Sequence, residues 1–477
     1  MSTNPREEQK KTITAGGQNK KHVSIATLGH IDAGKSTTTG HLLFKLGGID
    51  ERTMQKLSEE AEIMGKGSFK YAFFCDKQKE ERERGITITI ATKEFFTNNF
   101  HYTIVDCPGH QSYIKNMISG ASQVDVAMLM VPADGGFTTA IAKANHKAAQ
   151  VQGQTRQHAN LALLLGIKQL IVCVNKMDCE TAKYSQERFE EIRDEMRNML
   201  VQVGWNKKFV MESVPILPIS GFQGDNLIDK SDKMPWWKGT EVKAGDETCT
   251  VTTVYDALDN YVKIPKRSPD LPLRMPVSGI HKIKGVGDVI TGRIEQGTVS
   301  PGAEVIFVPS YFTNKSAGKV FTVEMHHKSV PQAETGDNVG LNIKGLTKET
   351  MPKSGDIMIL KNDSSLKKVA KFTAQVQVLE HPNELQVGFC PIGFVRTAHA
   401  ACKLSKIVWK MGKDTNNQKV QDPTGLKSKD MAEVIFEPTM PFTVETFAKC
   451  EGLGRIAFMD SNTVIMLGKI TDVEYVD

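Results

Sequence analysis

Four hundred and seventy-seven residues exceed what one hydrophobic core serves, and at about 100–200 residues per domain two to four domains are expected. The chain is 40% hydrophobic and 24% charged, which excludes a wholly disordered polymer, and no apolar run reaches the ~20 residues of a membrane span. Sixty Lys and Arg against fifty-five Asp and Glu leave a net +5, too little to demand a polyanionic partner, so any such site is a local patch.

Residues 1–21 are rich in Lys, Gln, Thr and Gly and read as a flexible tail. The opening MSTNPREEQKK has no apolar segment, so no signal peptide is expected. From His22 short β-rich runs alternate with helical stretches. His22–Leu28 reads as a strand ending at Gly29, and Thr37–Leu46 as a helix. Phe100–Val105, Val124–Val131, Leu170–Val174 and Val214–Ile219 are further strands. Helices are expected over Tyr113–Ile118, Thr139–Gln150 and Tyr184–Val203. This alternation predicts a parallel sheet covered on both faces across residues 22–240, with ligands at the carboxyl ends of its strands. After Pro265 the helical periodicity almost vanishes. Short β-rich runs punctuated by Gly, Pro and Asn predict two antiparallel barrels or sandwiches, over 250–360 and 368–477, joined by the Lys-rich stretch Lys361–Lys371. The eight cysteines are scattered and none forms C-x-x-C, so a disulfide framework or zinc site is not expected, and the chain reads as cytoplasmic.

Four motifs carry chemistry. Gly29-His30-Ile31-Asp32-Ala33-Gly34-Lys35-Ser36 fits G-x-x-x-x-G-K-[ST], follows a predicted strand and opens a helix that continues with Thr37. Glycines let such a loop curl around phosphates, and the helix N-terminus adds positive potential. Lys35 offers a point charge to the β- and γ-phosphates, and the Ser36 hydroxyl can ligate Mg²⁺. Asp106-Cys107-Pro108-Gly109-His110 follows the strand Phe100–Val105. There Asp106 can hold Mg²⁺ through a water, and Gly109 can bring a backbone N–H to the γ-phosphate. Asn175-Lys176-Met177-Asp178 follows Leu170–Val174. Asp178 can accept from N1–H and N2–H₂ of guanine, a pair adenine lacks, while Lys176 lies along the base and Asn175 ties loops together. Ser220-Gly221, after Val214–Ile219, supplies backbone contacts to guanine O6. A D-x-x-G turn alone is usually only a turn. All four motifs in this order, each after a strand, point to a guanine-nucleotide site.

On these residues the chain resembles the translational GTPases, most closely the eukaryotic-type elongation factor 1-alpha family with its divergent elongation-factor-like branch. GHIDAGKSTTTGHLL, ERERGITITIA, DCPGH, YIKNMISG, QLIVCVNKMD and PISGFQGDN resemble that family's first domain, VEMHH and GDNVG its second, and FTAQV, TAH and LGR its third. The resemblance implies an α/β P-loop GTPase domain followed by two all-β barrels, and GTP-dependent delivery of aminoacyl-tRNA to the ribosome. It implies that Thr87 ligates Mg²⁺ only when the γ-phosphate is present, and that His110 positions the attacking water. It further implies that Ile31 and Ile86 gate His110, with Asp32 helping to position that machinery. Glu324, His326 and Asn338 would surround the aminoacyl end of the tRNA, and Arg396, Thr397 and His399 its T-stem. The cofactors implied are GTP or GDP with Mg²⁺. The partners are aminoacyl-tRNA, the ribosome and a guanine-nucleotide exchange factor, with no membrane and a monomeric protein.

Some residues depart from the family pattern. Ser112 stands where relatives carry Asp, Gln157 where they carry Glu, and Lys353-Ser354 replaces an Arg-Gly pair. These bear on the exchange-factor and tRNA contacts, and they favour the elongation-factor-like branch. Two other readings predict different behaviour. A release- or rescue-type GTPase would carry a release-factor-like protein and need no aminoacyl pocket. A non-catalytic scaffold would not need Lys35, Thr87, Asp106 and His110.

Overall fold

The computed structural model describes residues 20–476 apart from 122, 144–152, 326–327, 380, 382 and 462. Most of the expected tail, the larger part of the expected helix Thr139–Gln150, and His326 lie outside the described residues. The chain divides into two compact units, one formed by residues 1–163 and 167–265, the other by 164–166 and 266–477.

The first unit is built on six strands: β1 (Lys21–Gly29), β2 (Ala91–Phe96), β3 (Phe100–Asp106), β4 (Val126–Pro132), β5 (Gln169–Asn175) and β6 (Ile216–Pro218). Among the described residues their order is β2-β3-β1-β4-β5-β6, parallel except for β2, which pairs antiparallel with β3. β4 is buried along its whole length and β1 beyond its first residue, as strands covered on both faces must be. The register sets Thr27 beside Asp106 and Gly29 beside Met130, and it pairs Val174 with Pro218. The four sequence motifs therefore emerge along one rim of the sheet.

Several elements were not expected from periodicity, three of which bear on the sheet and the site. Helix Glu51–Ile63, capped by Asp50 through Thr53 N–H (2.8 Å), buries only Met54, Leu57 and Ala61, so its apolar stripe is thin. β2 is a half-buried edge strand. Helix Gln154–Leu164 follows a shorter helix than expected, Phe137–Ile141, which ends at Ala142.

In the second unit the expected barrel or sandwich is two closed six-stranded antiparallel barrels. The first runs Glu304–Val308, Ile357–Leu360, Met275–Ile283, Gly287–Arg293, Asn338–Lys344 and Ala317–Met325, and closes by pairing the last strand with the first. The second runs Ile392–Val395, Arg455–Asp460, Thr463–Tyr475, Val369–Val378, Met431–Pro438 and Ala398–Met411, and closes in the same way. Closure leaves no free edge in either ring. Phe307 and Leu341 fill the first core, while Phe436 stacks on Phe458 (4.2 Å) in the second.

The barrels share an apolar seam in which Ile306, Val308, Ile357 and Ile359 pack into the second barrel's core cluster. Buried charges fix that seam. The Arg274 guanidinium meets Asp363 (2.6 Å) and Ser365 (2.7 Å), with Glu445 at 3.8 Å. Pairs of this kind set the docking geometry more than they add stability.

Candidate nucleotide-binding site

The loop from Gly29 to Ser36 joins β1 to helix Lys35–Lys45. Lys35, Ser36 and Thr37 head that helix, so their N–H groups have no intrahelical acceptor and are free to face an anion. The neighbouring amides are committed: Gly29 N–H donates to His158 Nδ1 (3.0 Å), His30 N–H to Thr155 Oγ1 (3.2 Å) and Ile31 N–H to Gln154 Oε1 (3.2 Å). Helix Gln154–Leu164 thus splints the base of the loop. Burial lowers the His158 ring to about 3, so it accepts as a neutral imidazole. Lys35 is buried and donates to His30 O across the loop (2.8 Å). Asp32 lies in the left-handed region, at φ 60°.

An open cavity lies against this loop. Its walls bring together Ile31, Asp32, Gly34, Lys35, Ser36, Thr37, Ile86, Thr87, Gly109 and His110, which the sequence scatters over eighty residues. Gly109 lies close against the phosphate loop. A Cβ there would strike the Lys35 ammonium and lie 3.0 Å from Ile31 N. His110 is half-buried, and its Nδ1 accepts from Ser112 N–H (3.2 Å).

The oxygens at the cavity floor fit a hard divalent cation. Ser36 Oγ and Thr87 Oγ1 are 2.9 Å apart, and Asp106 Oδ2 is buried with no hydrogen-bond partner. Thr27 Oγ1 fixes the other Asp106 oxygen (2.7 Å). Among the described residues no three His, Cys, Asp or Glu converge on a metal site. That is the donor set expected for Mg²⁺, which keeps its waters and relies on substrate phosphates.

At the other end of the rim, Asn175 donates to Ala33 O (2.9 Å) and accepts from Gly221 N–H (2.7 Å), which ties the phosphate loop to the Ser220-Gly221 loop. Lys176 pairs with Asp134 (2.8 Å), and Asp178 is half-buried on the same loop. Ser220 is fully buried, and its hydroxyl accepts from Gln223 N–H (3.0 Å).

Several residues at the site escaped sequence reasoning. Asp76 lines the cavity and accepts from Thr87 Oγ1 (2.9 Å); burial, then the charge of Asp106, pushes it up to about 7. Glu81 is almost fully buried. It accepts from Gln78 N–H (3.0 Å), Ile88 N–H (3.0 Å), Thr89 N–H (2.9 Å) and the Thr89 hydroxyl (2.8 Å). Burial opposes its charge, but these donors outweigh burial and hold Glu81 below its ordinary value. No local sequence signal marks Glu81, which sits among the charges of Lys79–Arg84. Removing this acceptor leaves buried N–H groups unpaired, at about 1–3 kcal/mol. Glu81→Ala should therefore speed tryptic cleavage at Arg82 and Arg84 about tenfold or more in the folded protein. Unchanged cleavage would show that Glu81 does not hold the segment.

In the second unit, Glu324 pairs with Gly340, and Asn338 lies two residues earlier on the same strand, so both occupy one face of the first barrel. Arg396 pairs with Glu295 (2.7 Å), and buried Thr397 donates to Val277 O (2.8 Å), both across the seam between barrels. His399 is exposed, stacked on Phe394 at 5.5 Å. Three of the lysines on and after strand Ala398–Met411 are engaged by neighbouring side chains. Lys410 meets Asp414 and Asp430, Lys406 meets Asp422, and Lys419 sits over Trp409. No helix among the described residues is long and apolar enough to cross a membrane.

Comparison with known proteins agrees with this arrangement. Residues 20–264 match the elongation factor Tu GTP binding domain, 287–359 elongation factor Tu domain 2, and 371–471 the GTP-eEF1A C-terminal domain-like family. The chain is 44% identical over 459 residues to elongation factor 1-alpha of Plasmodium falciparum, covering 96% of each chain. It is 43% identical to that of Onchocerca volvulus, covering 96% of this chain and 95% of the relative. Among solved structures, the GTP-bound Ski7 GTPase-like domain of S. cerevisiae superposes with TM-score 0.75 over 98% of this chain and 100% of that one, at 17% identity. That is a likeness of fold.

Proposed function

From the premise that this chain belongs to the elongation factor 1-alpha family of translational GTPases, we propose that it delivers aminoacyl-tRNA to the ribosomal A site and hydrolyses GTP upon codon recognition. The observation that carries this reading is the meeting of Lys35, Ser36, Thr87, Gly109 and His110 on one cavity.

Asp178 selects guanine, and Lys176 and the Ser220-Gly221 loop hold the base. The amides heading helix Lys35–Lys45 and the Lys35 ammonium grip the phosphates. Ser36, Thr87 and Asp106 would hold Mg²⁺, which neutralises phosphate charge when bound. A γ-phosphate draws Thr87 and Gly109 inward and orders the segment around Ile86, an order–disorder change driven by one phosphoryl group. His110 orients the attacking water. Ile31 and Ile86 exclude it until the ribosome triggers hydrolysis, and Asp32 positions this loop. Phosphoryl transfer needs little more than placement and charge stabilisation.

Glu324 and Asn338 share a face suited to pairing with a ribose hydroxyl and an α-amino group, and His326 belongs to the same pocket. His399 faces the T-stem, and Arg396 and Thr397 set its position through the barrel seam. The protein acts as a cytoplasmic monomer served by an exchange factor. Filter binding with charged and uncharged tRNA tests the cargo. The GTP form should prefer the charged species by at least about tenfold, or 1.4 kcal/mol. A weaker preference would leave a GTPase of the same family with another cargo.

A further inference from the structure

The loop that follows β6 is clamped to helix Lys35–Lys45 at two carbonyls. His41 Nδ1 lies 2.9 Å from Gly221 O, and Lys45 Nζ donates to Gly224 O (3.0 Å). A carbonyl only accepts, so His41 carries its proton on Nδ1. The ring of His41 is buried. It stacks face to face on Tyr71, with centroids 4.0 Å apart and planes within 6°.

Tyr71 reaches that position because residue 40 is glycine. A Cβ there would strike the Tyr71 carbonyl oxygen and lie 2.7 Å from its carbon. Tyr71 heads the short turn Ala72–Phe74, whose Ala72 lines the phosphate cavity. Three hydrogen bonds tie this turn to the Thr87 segment. Arg82 donates to Phe73 O (3.1 Å) and Asp76 O (2.8 Å), and Asp76 accepts from Thr87 (2.9 Å).

A continuous run of contacts thus leads from the carbonyl of Gly221 to the hydroxyl of Thr87 without passing through the phosphate loop. We propose that the His41–Tyr71 stack is a strut coupling the guanine-recognition loop to the switch segment, so that ordering of Thr87 slows opening of the base loop and retains the nucleotide. His41 and Tyr71 are positioning residues in this scheme, since neither lines the phosphate cavity. Burial pulls His41 down to about 4, so at neutral pH the ring stacks uncharged. The inference rests on the guanine site proposed above.

The test measures release of a fluorescent GDP analogue and amide hydrogen exchange in the full chain. Tyr71→Leu removes the plane against which His41 rests and should speed release about three- to tenfold. Tyr71→Phe keeps the ring and should stay within twofold. In the cycle with His41→Ala, the double variant should be no faster than His41→Ala alone; multiplicative effects would overturn the coupling. The unmodified protein gives an answer that does not depend on variant folding. Exchanging GDP for a non-hydrolysable GTP analogue should protect residues 220–224 together with 71–76 and 84–89. Protection confined to 84–89 would overturn the strut. Failure of the unmodified protein to bind either guanine nucleotide would instead refute the site itself.

Discussion

His110→Ala should leave GTP affinity within about twofold while cutting ribosome-stimulated hydrolysis by roughly 10²- to 10⁴-fold, the range spanned by single groups that steer proton or water placement. The separation follows from where His110 sits. It lines the cavity beside Gly109 and its Nδ1 is engaged by Ser112 N–H, so its loss leaves the Lys35 ammonium, the Ser36 hydroxyl and the base loop in place to bind the nucleotide. Ser112 N–H donates to Nδ1, which puts the ring proton on Nε2 and makes the imidazole a donor toward the water or γ-phosphate. In the proposed mechanism its contribution is orientation, realised only as water approaches phosphorus. Such a residue lowers the rate constant for hydrolysis and spares the dissociation constant. Single-turnover hydrolysis with programmed ribosomes, beside equilibrium titration with a fluorescent GTP analogue, measures both. A tenfold loss of affinity, or an unchanged rate, would show that His110 is elsewhere in the mechanism.

Asp178→Asn should weaken GTP by about two to three orders of magnitude and turn the preference towards XTP. In the proposed site the carboxylate would accept from N1–H and N2–H₂ of guanine. An amide replaces one acceptor with a donor, which opposes the guanine amino group and matches the xanthine carbonyl. The loop is held independently of this side chain. Met177 N–H donates to Ile219 O (3.2 Å), Tyr184 N–H to Met177 O (2.8 Å) and Cys179 N–H to Lys176 O (3.0 Å). The substitution therefore changes hydrogen-bond polarity without moving the backbone. Displacement of bound fluorescent GDP by GTP and by XTP reads the switch directly, and an unchanged ratio would remove Asp178 from base recognition.

The sequence alone determined the order of the parts. Each phosphate or base motif follows an apolar run, because a strand buried on both faces must be apolar and its polar chemistry can begin only where it leaves the sheet. That rule located Gly29–Ser36, Asp106–His110, Asn175–Asp178 and Ser220-Gly221, and the loss of helical period after Pro265 announced the two β-rich parts. Strand ends shifted by a residue or two, as with Val214–Ile219, which narrows to Ile216–Pro218 while Ile219 N–H still bonds Val174 O (2.8 Å).

Tertiary structure alone decided the partners. Glu81, surrounded in sequence by Arg and Glu, looked like one charge of a solvated helix; only the fold of the following segment gives it four donors and buries it. Asp76, His41 and Tyr71 carry no local pattern, since their partners Thr87, Gly221 and each other are 11 to 180 residues away. The resemblance puts Arg396 and Thr397 at the T-stem, and the fold shows both bonding across the seam where two closed barrels press together. Local sequence governs periodicity, turns and caps through neighbouring atoms. Which buried polar group meets which acceptor depends on chain segments brought together from afar, and that is fixed only when the core closes and unpaired groups become costly.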